Sequence, residues 1–162
     1  MEDRPTTDTT CASPRAIVRA EQPQDLDALR RVFLQARQTT FTWLDPATLQ
    51  LQDFDACTAG ERVLVALLDD ELVGFASIWE RDSFLHNLFI APHAHRRGVG
   101  AALLAACAAH FTQAPTLKCL KANTNALGFY GRMGWQSIGE GDAADGPYVL
   151  MRHCSPPVPR TA

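Results

Sequence analysis

The sequence has no apolar run that approaches the roughly 18 residues needed to cross a bilayer. Its N-terminal stretch, MEDRPTTDTTCASP, is acidic and polar with no apolar core, so it does not read as a secretory signal. Lysine is scarce: 13 of the 15 basic residues are arginine. Against 18 acidic residues the net charge is 15 − 18 = −3, which argues against a general nucleic-acid binder but allows a local basic patch. Close-paired cysteines are missing too. Cys11, Cys57, Cys107, Cys119 and Cys154 are odd in number and lack the spacing of a disulfide framework or a zinc knuckle. They read as free thiols of a reducing, cytoplasmic setting. What is present is ordinary for a globular chain: 46% hydrophobic and 20% charged residues, which excludes wholesale disorder. A chain of 162 residues is about one domain, able to bury roughly 70% of its unfolded surface without a disulfide or metal staple.

Composition also marks the ends. Residues 1–14 are rich in Thr, Asp and Pro, and the last eight residues hold three prolines. Neither stretch can propagate a helix or a central strand. The reading is a disordered N-terminal tail over 1–14, a folded domain over 15–153 and a proline-rich tail over 154–162, with no internal repeat. Within the domain, Ala16–Ala20 predicts a strand. Leu26, Leu29, Phe33 and Ala36 give the apolar stripe of a helix over Gln24–Phe41. Asp45 and Pro46 signal a second, shorter helix over Pro46–Phe54. Strands are predicted at 62–68, 72–79, 84–90 and 117–121, with Asp69-Asp70 turning the first hairpin. Helices follow at 99–111 and 124–133, the latter stopped by Gly134, and two last strands lie near 135–138 and 148–152. Hairpins first and a strand–helix–strand crossover later make an α/β fold: a mixed, mostly antiparallel twisted sheet of about seven strands with helices on both faces.

The segment from Asn87 to Leu104 carries the sharpest chemical signal. A strand ends at Pro92, a short basic loop follows, and Gly98-Val99-Gly100 opens a helix. Glycines let the backbone approach an anion, and first-turn N–H groups have no partner inside the helix. Dipole and free donors together make a phosphate site, and Arg96 and Arg97 add full charge beside it. The pattern is neither a P-loop nor a complete Gly-x-Gly-x-x-Gly, because position 103 is Leu.

His95-Arg-Arg-Gly-Val-Gly100 resembles the acetyl-CoA loop of the GNAT superfamily of N-acetyltransferases. That loop reads Gln or Arg, two residues, Gly, one residue, then Gly or Ala. His95 stands where Gln or Arg is usual. Asn123-Thr-Asn-Ala-Leu-Gly-Phe-Tyr-Gly-Arg-Met-Gly-Trp135 is similar to the same family's second motif. The resemblance covers about residues 15–153 and implies the acyl-CoA N-acyltransferase fold, with acetyl-CoA as cosubstrate. It implies that the strand at 84–90 splays from the one near 117–122. The backbone of Leu88, Phe89 and Ile90 would then pair with the pantetheine amides. It implies that the N–H groups of Arg97, Gly98, Val99, Gly100 and Ala101 hold the pyrophosphate beside His95 and Arg96. Asn123 would bind the cofactor arm, and Tyr130, beside Phe129, would protonate the leaving thiolate.

Acetyl transfer to an amine calls for a proton acceptor. His86 is the first candidate, mid-strand on the face that period two shares with Phe84, Leu88 and Ile90. It reads equally as a satisfied core or wall histidine. Glu80, at the end of the preceding strand, is the second candidate; it reads also as a solvated turn residue. Phe41, Trp43, Trp79 and Phe84 are candidate acceptor walls, or simply core. His93 and His95 lack a third ligand and sit beside two arginines, so no metal is expected. The resulting expectation is a cytoplasmic N-acetyltransferase. It acts on a primary amine of a small molecule or protein by direct attack in a ternary complex. No nucleic-acid or membrane partner is expected; the motifs do not encode the oligomeric state, although domains of this family often dimerise and a homodimer stays open. The rival expectation is a catalytically degenerate acyl-CoA-binding module for sensing or interaction.

Overall fold

The computed structural model describes residues 15–154, and both predicted tails otherwise lie outside the described residues. Eleven main elements run in the order β1 (Ile17–Ala20), α1 (Leu26–Thr40), α2 (Asp53–Cys57), β2 (Arg62–Leu68), β3 (Glu71–Trp79), β4 (Phe84–Ile90), α3 (Val99–Ala108), β5 (Thr116–Leu120), α4 (Thr124–Arg132), β6 (Trp135–Ala143) and β7 (Gly146–His153). The strands form one open sheet in the order β1-β2-β3-β4-β5-β7-β6. Every pairing is antiparallel except β4 with β5. Among the described residues no helix is long and apolar enough to cross a membrane.

Alternation along β2 shows how the sheet is covered. Val63 and Val65 pack with Leu29, Val32 and Phe33 of α1 and Phe54 of α2. Leu64, Ala66 and Leu68 point the other way, into the larger cluster with Val99, Leu103 and Cys107 of α3. Tyr130 of α4 belongs to that second cluster. Helices therefore lie on both faces, as the sequence predicted. Asp69 and Asp70 both take positive φ, the geometry a tight hairpin turn needs to follow strand twist.

Two expectations are corrected. The segment over Pro46–Phe54 is not one helix. A 3₁₀ turn at Pro46–Thr48, capped by the Asp45 side chain on the Ala47 N–H at 2.9 Å, stops at Leu49, whose backbone is extended. The helix starts only at Asp53, whose carboxylate accepts from the Gln50 N–H at 2.9 Å. The last hairpin is also longer than predicted, because a bulge near Ile138 lets β6 continue through its polar, glycine-rich half to Ala143.

A bulge in β4 has more consequence. Ser77 pairs with Asn87 and Ile78 with Leu85, so His86 is the extra residue. Period two fails there. Leu85, Leu88 and Ile90 share the α3 side, while Phe89 packs toward α1. His86 thus departs from the face of Leu88 and Ile90, although it lies beside Phe84, with ring centroids 6.2 Å apart.

Beyond the bulge, β4 and β5 part. Their register consists of Phe84 with Thr116 and Leu85 with Leu117 only.

Candidate active site

The loop before α3 is built around backbone geometry. A 3₁₀ turn over Pro92–Ala94 leaves β4, Arg96 takes φ +61°, and Gly98 takes φ +78° as the residue preceding the helix. Only glycine adopts that conformation without strain. The Ala102 N–H bonds the Gly98 carbonyl at 3.1 Å, so the donors just ahead of it lie in the first turn, where a helix supplies no acceptor. Arg96, Arg97 and Gly98 are exposed. Gly100 is buried, and a Cβ there would come within 3.0 Å of the Phe129 ring and 3.2 Å of the Ile90 side chain. It lets α3 sit close against both. His95 folds back, and its Nε2 lies 3.1 Å from the Ile90 carbonyl, which can accept its proton.

Where β4 and β5 part lies a half-open cavity of about 290 Å³. Residues 86–89 of β4 and 118–120 of β5 form two walls, and Ala126 and Tyr130 of α4 with its cap Asn123 a third. Phe33 and Arg37 of α1, with Phe41 just after it, close it from the opposite face, joined by Asp53 and Cys57 of α2 and by Asp145 from the β6–β7 turn. His86 and Tyr130, predicted to act together, line this one space.

Tyr130 is only 8% exposed and packs between Phe129 and Trp135, with ring centroids 5.4 and 5.9 Å away. Burial pushes its phenol well above the ordinary value, with neighbouring Cys119 and Cys107 adding to the shift, so it stays protonated across the neutral range. The Asn123 side-chain carbonyl caps α4, accepting from the Ala126 N–H at 3.2 Å, which leaves its amide NH₂ as the donor end. The thiols on the wall are poor nucleophiles. Burial pushes Cys57 up and Cys119 to about 11.

His86 makes a contact the sequence did not reveal: its Nδ1 pairs with Oε1 of Glu61, whose side chain is fully buried. Arg37 was also unforeseen. Its guanidinium lies 3.9 Å above the Phe33 ring and bonds Asp53 at 3.0 Å and the Gln50 carbonyl at 3.2 Å. Asp53 is held below the usual carboxylate range, first by the Gln50 N–H and then by Arg37. The signal available was position alone, since Arg37 continues the buried α1 stripe of Phe33 and Ala36.

Other candidates fall elsewhere. Glu80 does not line the cavity. Its Oε1 pairs with Arg62 Nε and lies 3.1 Å from His110 Nδ1. The Arg62 pairing depresses its carboxyl, so it is a weak base as well as a distant one. Of the four candidate walls, Phe41 alone lines the cavity. Trp43 packs on it at 5.2 Å but is 40% exposed, Trp79 is equally exposed, and Phe84 backs His86. His93 lies 3.2 Å from Glu71, and among the described residues no three metal-ligating side chains gather.

The acetyltransferase (GNAT) family model matches residues 26–135, from the start of α1 through the first residue of β6. The chain belongs to the GNAT family. Solved structures share its fold. Apo YjaB of Escherichia coli aligns with a TM-score of 0.74 at 19% identity, over 86% of this chain and 98% of that one. The PaiA N-acetyltransferase of Thermoplasma acidophilum, solved with coenzyme A, gives 0.64 at 16%, over 86% and 99%. The ribosomal-protein-S18-alanine N-acetyltransferase of Escherichia coli gives 0.64 at 14%, over 91% and 99%. Among curated proteins none matches the sequence. In this GNAT chain the matched span holds the α3 loop, both parted strands and all of α4.

Proposed function

We propose that this protein is an acetyl-CoA-dependent N-acetyltransferase that acetylates a primary amine of a small molecule or protein by direct attack in a ternary complex. One observation carries the reading. The sheet parts between β4 and β5 into a cavity that holds a protonated, buried phenol on one wall and a carboxylate-paired imidazole on another.

The residues present fit an acyl-CoA. Past Leu85 the inner edge of β4 is unpaired with β5, so the peptide groups of Leu88, Phe89 and Ile90 can bond an extended amide-bearing arm as a strand would. The first-turn N–H groups of Arg97–Ala101, with Arg96 and Arg97, suit a pyrophosphate. The donor end of Asn123 suits an amide carbonyl. When bound, acetyl-CoA supplies an acetyl group already activated as a thioester.

His86 Nε2 takes a proton from the attacking amine. Tyr130 gives its proton to the departing sulfur as the C–N bond forms and the C–S bond breaks, and solvent returns a proton from imidazolium to phenolate. The raised thiols of Cys57 and Cys119 favour this direct route over a cysteine-bound acyl group. The test is a screen of amine acceptors with detection of released CoA thiol. Turnover with an amine supports the enzyme. Tight acetyl-CoA binding without turnover of any amine replaces it with the acyl-CoA-sensing module.

A further inference from the structure

Glu61 stands between a turn and β2, where a glutamate ordinarily points to water. Gly60 before it takes φ +78°, and the Glu61 N–H closes the turn on the Thr58 carbonyl at 3.0 Å. The side chain turns inward and is fully buried. Oε1 meets Nδ1 of His86, while Oε2 is buried with no hydrogen-bond partner among the described residues. A buried carboxylate with one oxygen unpaired is destabilising, and an apolar side chain of similar size would fill the space without that cost. Stability alone therefore does not account for a glutamate here. Its compensation lies in His86, and His86 lies on the cavity wall.

We propose that Glu61 is the positioning residue of His86: it accepts the ring's Nδ1–H, leaves Nε2 as the proton-accepting atom toward the cavity, and stabilises the imidazolium that forms there. The inference rests on the acetyltransferase reading for its kinetic part only. Glu61 cannot itself reach an acceptor, because its side chain has no exposed surface. Other charged groups around the cavity are Arg37 from α1, Asp53 from α2, Lys118 from β5 and Asp145 from the β6–β7 turn, and its other titratable groups are Cys57, Cys119 and Tyr130. Arg37 is engaged by Asp53, Cys57 shares its hydrogen bonds with Asn87, and Lys118 lies 4.9 Å from the Tyr148 ring centroid. Among the described residues, Glu61 is the charged group in contact with His86. The β4 bulge enables the pairing, since the extra residue turns His86 out of the regular alternation.

The test uses the full chain with Glu61→Leu and Glu61→Gln. Without cofactor, side-chain nitrogen NMR of the wild type should show His86 protonated on Nδ1 and bare on Nε2. In Glu61→Leu the proton should move to Nε2, with folding stability kept or raised. In turnover, kcat/KM should fall about 10–100-fold in either variant, with the dissociation constant of CoA unchanged. In a His86→Gln background neither Glu61 change should cost anything further. A wild-type His86 protonated on Nε2, or an equal loss in both backgrounds, overturns the proposal. If Glu61→Leu does not fold, Glu61→Gln carries the kinetic arms. If no amine is acetylated, the NMR arm still decides the pairing while the functional reading fails by itself.

Discussion

Replacing Tyr130 with Phe removes one oxygen from a ring that is 8% exposed and wedged between Phe129 and Trp135. Among the described residues the phenol has no hydrogen-bond partner, so deletion leaves no buried group orphaned and folding stability should change by less than about 1 kcal/mol. The kinetic effect should be far larger. Loss of a general acid typically costs about 10²–10⁴-fold, which at about 1.36 kcal/mol per tenfold is roughly 2.7–5.4 kcal/mol in barrier height. Burial holds the phenol protonated, so the donor is present in full at neutral pH. The loss should be the same at pH 7 and just above pH 9, because burial keeps the phenol protonated at both. The assay is stopped-flow detection of CoA thiol at pH 7 and above pH 9, with calorimetry to measure CoA affinity. A turnover within about a factor of two of wild type at pH 7 would refute the acid role. Weakened CoA binding in proportion to the lost rate would mean that the oxygen serves packing instead.

Three further outcomes follow from the same geometry. Gly98→Asp meets no atom within 4 Å but must hold φ +78°, at a cost of about 1–2 kcal/mol. The fold should persist while CoA affinity drops at least about tenfold by calorimetry, and an unchanged affinity removes the phosphate assignment. Glu80→Gln should leave kcat/KM within about twofold, since Glu80 is held by Arg62 and His110 away from the cavity; a loss nearer the general-base range would restore it as the base. Burial raises the Cys107 thiol from 9.0 to about 12 and Cys119 to about 11, so the folded state keeps protons that the unfolded chain releases. That stability is fully present below pH 9 and drains as pH rises toward 12. Cys107→Ala should flatten the decline in midpoint temperature across that window, and an unaltered slope would argue against a buried thiol as its source.

Much of the scaffold was legible because its signals are local. The run at 62–68 and the one at 84–90 matched their strands to the residue, each bounded by turn residues or proline. The turn before α3 and helix α4 stand where the sequence placed them because their glycine and cap signals are local. What was missed arises from packing between distant segments. Nothing within ten residues of Glu61 distinguishes it from a solvated turn glutamate; its burial depends on β4, 25 positions later. The His86 bulge likewise cannot be read from a strand that otherwise alternates, because the extra residue is defined only by its partner on β3. Glu80 misled for the complementary reason. A carboxylate at a strand end looks available until Arg62, from the neighbouring strand, claims it.

The narrow union of β4 and β5 also has a mechanical meaning. One plate carries β1 through β4 and the other β5, β7 and β6, and across the seam they share two register pairs, Phe84 with Thr116 and Leu85 with Leu117. Such a seam is the natural crease of the molecule, and amides beside it should exchange with deuterium sooner than those of the long β2–β3 hairpin. A long molecule lying in the crease acts as a rivet between plates. Its binding energy adds directly to resistance against unfolding, by about 2.7 kcal/mol at one hundred times its dissociation constant. Occupancy would then be visible as slowed exchange on both plates at once, far from any atom the ligand touches.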